Sequence, residues 1–458
     1  MSVLIIGAGE VGFMIARRLT EENIDVYIVE KDEAKVNKLS QMIDAQVIWG
    51  SGSSIKTLKK ANLEHAEMLI AVTDSDEVNL VAAFIAGSFA DIPTKIVRIR
   101  NKEYESSRKI FEEEYLDIDL IINPEQEAVN TIMNIIDIPG CQDAVQVADG
   151  RIRLGGFKIG PNSPLVYRSL QEISTSSNTN GMNFLIAAIL RQMNLLIPRG
   201  NDKILPGDRV YVVLDQGDNR EILTFMGTYR KPMQNIMIYG GSITGEMLAS
   251  ALERRNISVK LIELDEKRCI DLSERLSRTT VLNIPAMNRD LLQAERVSNQ
   301  DVFIAVSNDE EANILSSLLA KRIGCPHVIS QVNNSDYVSL VSDIGVDVVV
   351  NPRMAAVAKI LQFIRKGKIF SMTSLSDIEA EVLEVEAMET SDLVERPIKD
   401  IKWPKDAIIA GVIRAGEGKV IAPKGDTVID PGDRVIIFAK KGTMPKVEKV
   451  LSVKLDYF

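Results

Sequence analysis

Short β-branched runs alternate with amphipathic helical stretches along the first part of the chain. Val3 to Ile6 is apolar throughout, and residues 10–21 place apolar side chains at helical spacing. A strand at 25–29, a helix at 32–42 and a strand at 46–48 continue the pattern, with further strands expected near 68–72 and 95–99. Strands alternating with helices predict a parallel, doubly wound α/β sheet. Asn123-Pro124 reads as a helix start, with Asn as N-cap, Pro at the first helical position and Gln126 placed for a capping box. The helix that follows carries Ala128, Val129, Ile132, Met133 and Ile136 on one face.

The pattern occurs twice. An apolar run precedes Gly7-Ala8-Gly9-Glu10-Val11-Gly12, and another precedes Gly240-Gly241-Ser242-Ile243-Thr244-Gly245, 233 residues on. Val29-Glu30-Lys31-Asp32 recurs as Ile262-Glu263-Leu264-Asp265, Ala71-Val72-Thr73-Asp74 as Ile304-Ala305-Val306-Ser307, and Tyr104 as Tyr337. The offset drifts to 228 at Asn123-Pro124 against Asn351-Pro352. It reaches 225 at Pro206-Gly207-Asp208-Arg209 against Pro431-Gly432-Asp433-Arg434. Small loop deletions between two copies of one ancestral unit produce such drift. The second helix after Asn-Pro is expected to bury Ala355, Val357, Ile360, Leu361 and Ile364. Each copy ends in a smaller, strand-rich segment, in which Pro-Gly-Asp reads as a tight turn feeding a strand and nothing more. Residues 229–234 read as the linker between halves.

Composition narrows the function. At 458 residues the chain has room for about two to four domains. Its 45% hydrophobic and 26% charged residues suit globular cores. A net charge of −10 disfavours nucleic acid as the main partner, because phosphate neutralisation needs a basic surface. The three cysteines (Cys141, Cys269 and Cys325) form no CxxC pair, which points to a reducing compartment. Two histidines, His65 and His327, leave little for a metal centre or a catalytic triad. No apolar run is long enough to span a bilayer; one of the longest, Phe184 to Leu190, ends at Arg191. A cytoplasmic location is expected, with any membrane role exercised through a partner.

The Gly7–Gly12 motif stands between a strand and a helix, the context that gives it chemical meaning. Gly7 permits a tight turn, Gly9 lets backbone approach a pyrophosphate, and Gly12 lets the helix pack closely. The helix N-terminus offers N–H groups and partial positive charge to phosphates. Glu30, 18 residues past Gly12, is placed to accept from a ribose hydroxyl. The candidate site is Gly7, Ala8, Gly9, Glu10, Val11, Gly12, Glu30, Gly50, Thr73, Asp74 and Arg98. A weaker second site comprises Gly240, Gly241, Ser242, Ile243, Thr244 and Glu263. There Ser242 replaces the middle glycine, Gly50-Ser51-Gly52 becomes Asn283-Ile284-Pro285, Asp74 is matched by Ser307, and Arg98 by Gln331. The second pocket is therefore weak, altered in preference, or structural only. No nucleophile elbow, Walker A sequence or HExxH is present, so neither a catalytic residue nor a metal ligand is assigned. A second reading is an NAD-dependent oxidoreductase with an unfamiliar substrate domain; a third is a purely structural scaffold.

The chain resembles the TrkA family, peripheral subunits of Trk-type potassium uptake, over essentially its whole length. The resemblance rests on Gly7–Gly12, Glu30, residues 72–77, Arg98 and Asn123-Pro124, and on residues 306–311, Asn351-Pro352 and the paired Pro-Gly-Asp turns. It implies two RCK units: a Rossmann-like lobe at 1–123, a crossover helix that mediates pairing at 124–140, and a small α+β C-terminal lobe at 141–228. The second unit would occupy 232–350, 351–367 and 368–453. It also implies binding of NAD(H) or ATP/ADP, a ring of homo-subunits (a tetramer), and gating of a TrkH-like membrane potassium channel subunit.

Overall fold

The computed structural model describes residues 2–101, 103–104, 107–112, 114–148, 150–176, 182–192, 194–215, 217, 219–285, 287–364, 369–375, 380–389, 391–416 and 418–451. The expected span 351–367 ends outside this set, at 365–367, and the span 368–453 both begins and ends outside it, at 368 and 452–453.

Six parallel strands form the first large sheet: β1 (Ser2–Ile6), β2 (Asp25–Glu30), β3 (Gln46–Trp49), β4 (Met68–Ala71), β5 (Thr94–Arg98) and β6 (Leu120–Ile122). Their order is β3-β2-β1-β4-β5-β6, which places the reversal between β1 and β4. Helices α1 (Glu10–Glu21), α2 (Glu33–Leu39), α3 (Ile55–Lys60) and α4 (Asp76–Phe89) connect the strands. Val3, Leu4, Ile5 and Ile6 are all fully buried, as a central strand covered on both faces requires. The core gathers Leu4, Ile6, Leu58, Leu69, Ala82, Ala86 and Val97. Helix α2 is shorter than the expected 32–42. Asp32 caps it by accepting from Ala34 and Lys35 N–H, and the Ser40 hydroxyl turns back onto the Val36 carbonyl at 2.9 Å.

Helix α5 (Pro124–Asp137) begins where Asn123 accepts from the N–H groups of Glu125 and Gln126 at 3.1 and 3.2 Å. A five-stranded antiparallel sheet follows: β7 (Asp143–Val147), β8 (Ile152–Lys158), β9 (Leu185–Arg191), β10 (Asn194–Leu196) and β11 (Arg209–Asp215), with short helices α6 (Leu170–Ser174) and α7 (Arg220–Phe225). Residues 228–234 form no regular element.

The architecture then repeats. Strands β12 (Asn235–Tyr239), β13 (Ser258–Glu263), β14 (Thr280–Asn283), β15 (Val302–Ala305), β16 (Val328–Gln331) and β17 (Val348–Val350) take the order β14-β13-β12-β15-β16-β17, all parallel. Their helices are α8 (Ile243–Arg254), α9 (Glu266–Arg275), α10 (Arg289–Ala294), α11 (Glu310–Ile323) and α12 (Tyr337–Asp343). Helix α13 (Pro352–Ile364) leads to β18 (Ile369–Leu375), β19 (Ala380–Glu386), β20 (Ala407–Ile413), β21 (Val420–Ile421) and β22 (Arg434–Lys440), closed by α14 (Met444–Leu451). The buried face of α13 is Ala356, Val357, Ile360 and Leu361; Ala355 and Ile364 are half-buried, so Ala356 takes the place expected of Ala355.

Packing does not follow chain order. The chain divides into two compact units, one comprising the residues up to Ala128 with Asn351–Phe363, the other Val129–Val350 and the chain from Ile364. Helix α13 of the second copy thus belongs, all but its last residue, to the unit of the first large sheet, where Arg353 pairs with Glu10 of α1. Within the other unit, Asp137 at the end of α5 pairs with Arg255 of the second large-sheet lobe. There the two small sheets share one core, which joins Leu154, Tyr211 and Val213 to Val382, Ile436 and Phe438. The rings of Tyr211 and Phe438 lie 6.3 Å apart.

Each Pro-Gly-Asp turn is an anchored corner. Asp208 is buried and accepts from Arg191 Nε and a terminal guanidinium nitrogen at 2.9 and 2.8 Å and from Leu205 N–H at 2.8 Å. Asp433 accepts from Arg414 at 2.5 Å and from the N–H groups of Ala415 and Asp430 at 3.0 Å.

Candidate nucleotide site

The loop after β1 leaves the sheet at its C-terminal edge, beside β4. Gly7 has φ +99°, a left-handed conformation that favours glycine, and a Cβ there would lie 3.0 Å from Thr73. At Gly12 a Cβ would stand 1.9 Å from the Gly7 carbonyl oxygen, so α1 can sit this close only on a bare backbone. Gly9 differs from both. Its φ of −65° and ψ of −178° suit any residue, and a Cβ there would meet nothing within 4 Å. The fold does not require glycine at this position. Gly9 is also the N-cap of α1 and makes no side-chain cap bond. The first intrahelical bond runs from Phe13 N–H to the Gly9 carbonyl at 2.9 Å, leaving the N–H groups of Glu10, Val11 and Gly12 ahead of it.

Glu30 ends β2, is buried, and holds the loop. One carboxylate oxygen accepts from Ala8 N–H at 2.8 Å and the other from Asp32 N–H at 3.0 Å. Its neighbour Trp49, 61% exposed, donates from its indole to the Lys31 carbonyl at 3.1 Å. Gly50 has φ +151° and accommodates Thr57, which a Cβ would approach to 2.6 Å.

On the β4–β5 side, fully buried Asn79 is the organising residue. Its side-chain oxygen accepts from Thr73 N–H and hydroxyl at 2.9 and 2.7 Å. Its amide donates to the carbonyls of Thr73 and Arg98 at 3.2 and 3.0 Å. Arg98 is 6% exposed and pairs with Asp74 at 3.1 Å, while its Nε has no partner. Burial, then the Arg98–Arg100 repulsion, lowers the Arg98 pKa, and Glu125 and Asp74 oppose this. The strand ends therefore bring Gly7, Ala8, Gly9, Glu10, Val11, Gly12, Glu30, Gly50, Thr73, Asp74 and Arg98 to one edge of the sheet. Asn79, Trp49 and Arg353 join them without having been singled out from sequence. Asn79 carried a signal: an Asn inside an apolar helix, repeated as Asn313.

The second lobe keeps the frame and fills the opening. Gly240 has φ +105°, and a Cβ on Gly245 would stand 2.0 Å from the Gly240 carbonyl oxygen. Ser242 adopts φ −63°, ψ 175°, nearly the conformation of Gly9. Its hydroxyl accepts from Gly245 N–H at 3.2 Å and donates to the Val306 carbonyl at 2.5 Å, so this helix N-terminus is capped from within. Glu263 repeats the role of Glu30, accepting from Gly241 and Asp265 N–H at 2.7 and 2.9 Å. Arg268 binds the Gly241 carbonyl at 2.7 Å and Glu246 at 2.8 Å. Thr244 is buried, and Ile243, in the place of Glu10, is 48% exposed.

Two sequence correspondences need correction. The Thr73–Asn79 bonds recur as Ser307–Asn313, with Ser307 N–H and hydroxyl donating at 2.8 and 2.7 Å. Ser307 therefore replaces Thr73, and Asn308 replaces Asp74. Glu263 pairs in register with Asn283 as Glu30 does with Trp49, and Asn283 donates to the Leu264 carbonyl at 2.9 Å as Trp49 does to Lys31. Ile284 and Pro285 thus replace Gly50 and Ser51. One extra residue between α9 and β14, given back before β16, shifts the register between them.

Known proteins share this arrangement. The TrkA-N domain model matches residues 3–124 and 236–352, and the TrkA-C domain model matches residues 154–227 and 382–452. The chain is 36% identical to the Trk system potassium uptake protein TrkA of Azorhizobium caulinodans over 100% of both chains. It is 35% identical to that of Halomonas elongata over the same share. Among solved structures, the GsuK RCK domain is similar in fold at a TM-score of 0.60 and 16% identity, over 98% of this chain and 94% of that one. The GsuK channel bound to NAD also aligns at 0.60 and 16%, over 98% and 78%.

Proposed function

Because the chain belongs to the TrkA family of Trk-system potassium uptake proteins, we propose that it senses nucleotides for such a system and gates its membrane channel subunit. Like its relatives, it is a potassium-transport component and not an enzyme. The ligand of this reading is NAD(H) or ATP/ADP, held in the first pocket by Gly7–Gly12, Glu30, Gly50, Thr73, Asp74 and Arg98. The partner is a TrkH-like channel subunit, approached by a tetramer of this chain from the cytoplasmic side. Among the described residues no helix is long and apolar enough to cross a membrane, consistent with action through that partner.

One observation carries the reading. Gly9 leaves open space before an uncapped helix N-terminus, although nothing in the fold excludes a side chain there. A pyrophosphate accounts for this glycine, since its oxygens need backbone contact with the N–H groups and dipole of α1. Buried Arg98, with an unpartnered Nε, adds a cation that a phosphate can recruit from Asp74. The NAD bound to the GsuK channel, a protein of similar fold, belongs to the same ligand class.

Nucleotides act by differential affinity. A ligand that favours one conformation of the lobe shifts the population toward it, and the shift reaches the channel as coupling between distinct sites. A ligand binding both conformations equally changes nothing. Calorimetry on the purified chain with NADH, NAD, ATP and ADP tests the first step. Absence of heat with all four removes the sensing role. Potassium flux through the reconstituted channel, with and without each bound nucleotide, tests the second.

A further inference from the structure

Glu10 is out of place in an anion site. It is the first residue of α1, directly after Gly9, so it brings a negative charge to the helix end that the nucleotide reading gives to phosphates. An unneutralised acid there would repel them. The structure supplies the neutralising charge from the other copy: Arg353, near the start of α13, pairs with Glu10. The backbone of Arg353 is fixed. Asn351, itself buried, accepts from Arg353 and Met354 N–H at 2.9 and 3.0 Å, and Ala356, Val357, Ile360 and Leu361 bury the helix face. The pair belongs to the open pocket alone. In the second copy Ile243 replaces Glu10, and Glu125, in the place of Arg353, is paired with Arg100 at 3.2 Å. The acid–base couple thus occurs where the N-cap is glycine and is absent where serine closes it.

We propose that Arg353 is a nucleotide-binding residue of the first pocket, cancelling Glu10 and turning to the phosphates of a bound nucleoside diphosphate. The inference rests on the nucleotide reading above and adds to it that the first pocket is completed by the second half of the chain. Occupancy then acts on α13, the segment that leads into the second small sheet.

The test is calorimetry of the full-length chain with ADP, comparing wild type with Arg353→Gln, Arg353→Lys, Glu10→Gln and the Glu10→Gln/Arg353→Gln double variant. Arg353→Gln should weaken ADP about tenfold, and Arg353→Lys should stay within about threefold of wild type, the range expected for partly exposed charges. Glu10→Gln should tighten binding about threefold, and the double variant should return to within about threefold of wild type. Melting of each unliganded variant reports whether it is folded, and Glu10→Gln and Arg353→Lys keep the test alive if Arg353→Gln is not: Glu10→Gln that binds ADP no tighter than wild type then overturns the proposal. Wild-type binding with unchanged Arg353→Gln affinity overturns the proposal. So does equal weakening by Lys and Gln, which would mean packing rather than charge. A wild-type chain that binds no ADP overturns the nucleotide reading itself and this inference with it, and only that failure silences the wild type.

Discussion

Gly9 and Ser242 occupy the same backbone conformation, so exchanging them separates fold from function one residue at a time. A Cβ at position 9 meets nothing within 4 Å, and the hydroxyl of a serine there can cap α1 as Ser242 caps α8. Gly9→Ser should therefore raise stability by about 1 kcal/mol while weakening nucleotide binding by at least about tenfold. Urea unfolding and calorimetry on one preparation would read both; a variant that gains stability and binds normally would deprive the loop of its role. Gly12→Ala is the opposite case. Its Cβ would enter the Gly7 carbonyl, which is backbone and cannot step aside, so a loss of about 3 kcal/mol is expected from unfolding measurements. The three glycines look alike in sequence, yet two are steric necessities and one is not. Glu30 is similarly double. Placed from sequence as a ribose acceptor, it also tethers the loop through Ala8, so Glu30→Ala should weaken every nucleotide, including those that make no ribose contact. Equal affinity of wild type and variant would end both roles.

At the level of elements, the two buried aspartates of the Pro-Gly-Asp corners make a direct test of what the turns are for. Each is almost fully buried and satisfied by an arginine and backbone N–H groups. Removing the carboxylate strands an arginine and frees the corner, so Asp208→Ala and Asp433→Ala should each cost about 3 kcal/mol in thermal unfolding with little effect on nucleotide affinity. Periodicity made the alternation of strands and helices legible, and residue type the Asn123 cap and the Pro-Gly-Asp turns, because each is a local choice; that the aspartates of those turns anchor arginines was not legible. What stayed hidden was non-local. Asn79 finds its partners only when β4, α4 and β5 converge, and the one-residue shift in register, carried by the likeness of residues 72–77 to 306–311, is fixed by the Ser307–Asn313 bonds that show which residue faces which. The exchange of α13 into the first unit was also invisible, since chain order carries no sign of which lobe a helix packs on. His327 adds a pH effect at this scale. Burial lowers its pKa below the ordinary 6.5; Asp347 pulls the other way, and Lys321 and Arg230 reinforce the fall. A histidine depressed in the folded state contributes stability that is present above about pH 6.5 and lost as pH falls through its folded value. The melting midpoint should drop between about pH 7 and about pH 5.5, and less so in His327→Gln. Identical profiles would mean that His327 does not contribute.

For the whole molecule, the duplication is asymmetric: two lobes share one strand order, and the helix after the first strand is uncapped in one and capped from within in the other. The open loop lies in the unit formed by the chain up to Ala128 with Asn351–Phe363, and the capped loop lies in the other. A ligand that binds only the native form stabilises the unit that holds it by RT ln(1 + [L]/Kd), about 2.7 kcal/mol at a hundredfold excess over Kd. Two compact units with separate cores can unfold as separate transitions. Scanning calorimetry with NADH or ADP should then raise one transition and leave the other nearly still. Gly9→Ser should abolish the shift, and Ser242→Gly should not create a second one, because Arg268 still binds the Gly241 carbonyl and Gln331 still replaces the Arg98 cation. Equal displacement of both transitions in the wild type would locate binding in both lobes and undo the asymmetry. A shift confined to one transition would support the first lobe as the sensor and the second as the frame, and would leave the two helices whose residues divide between the units, α5 after Ala128 and α13 after Phe363, as the connections through which occupancy of the first lobe acts on the rest of the chain.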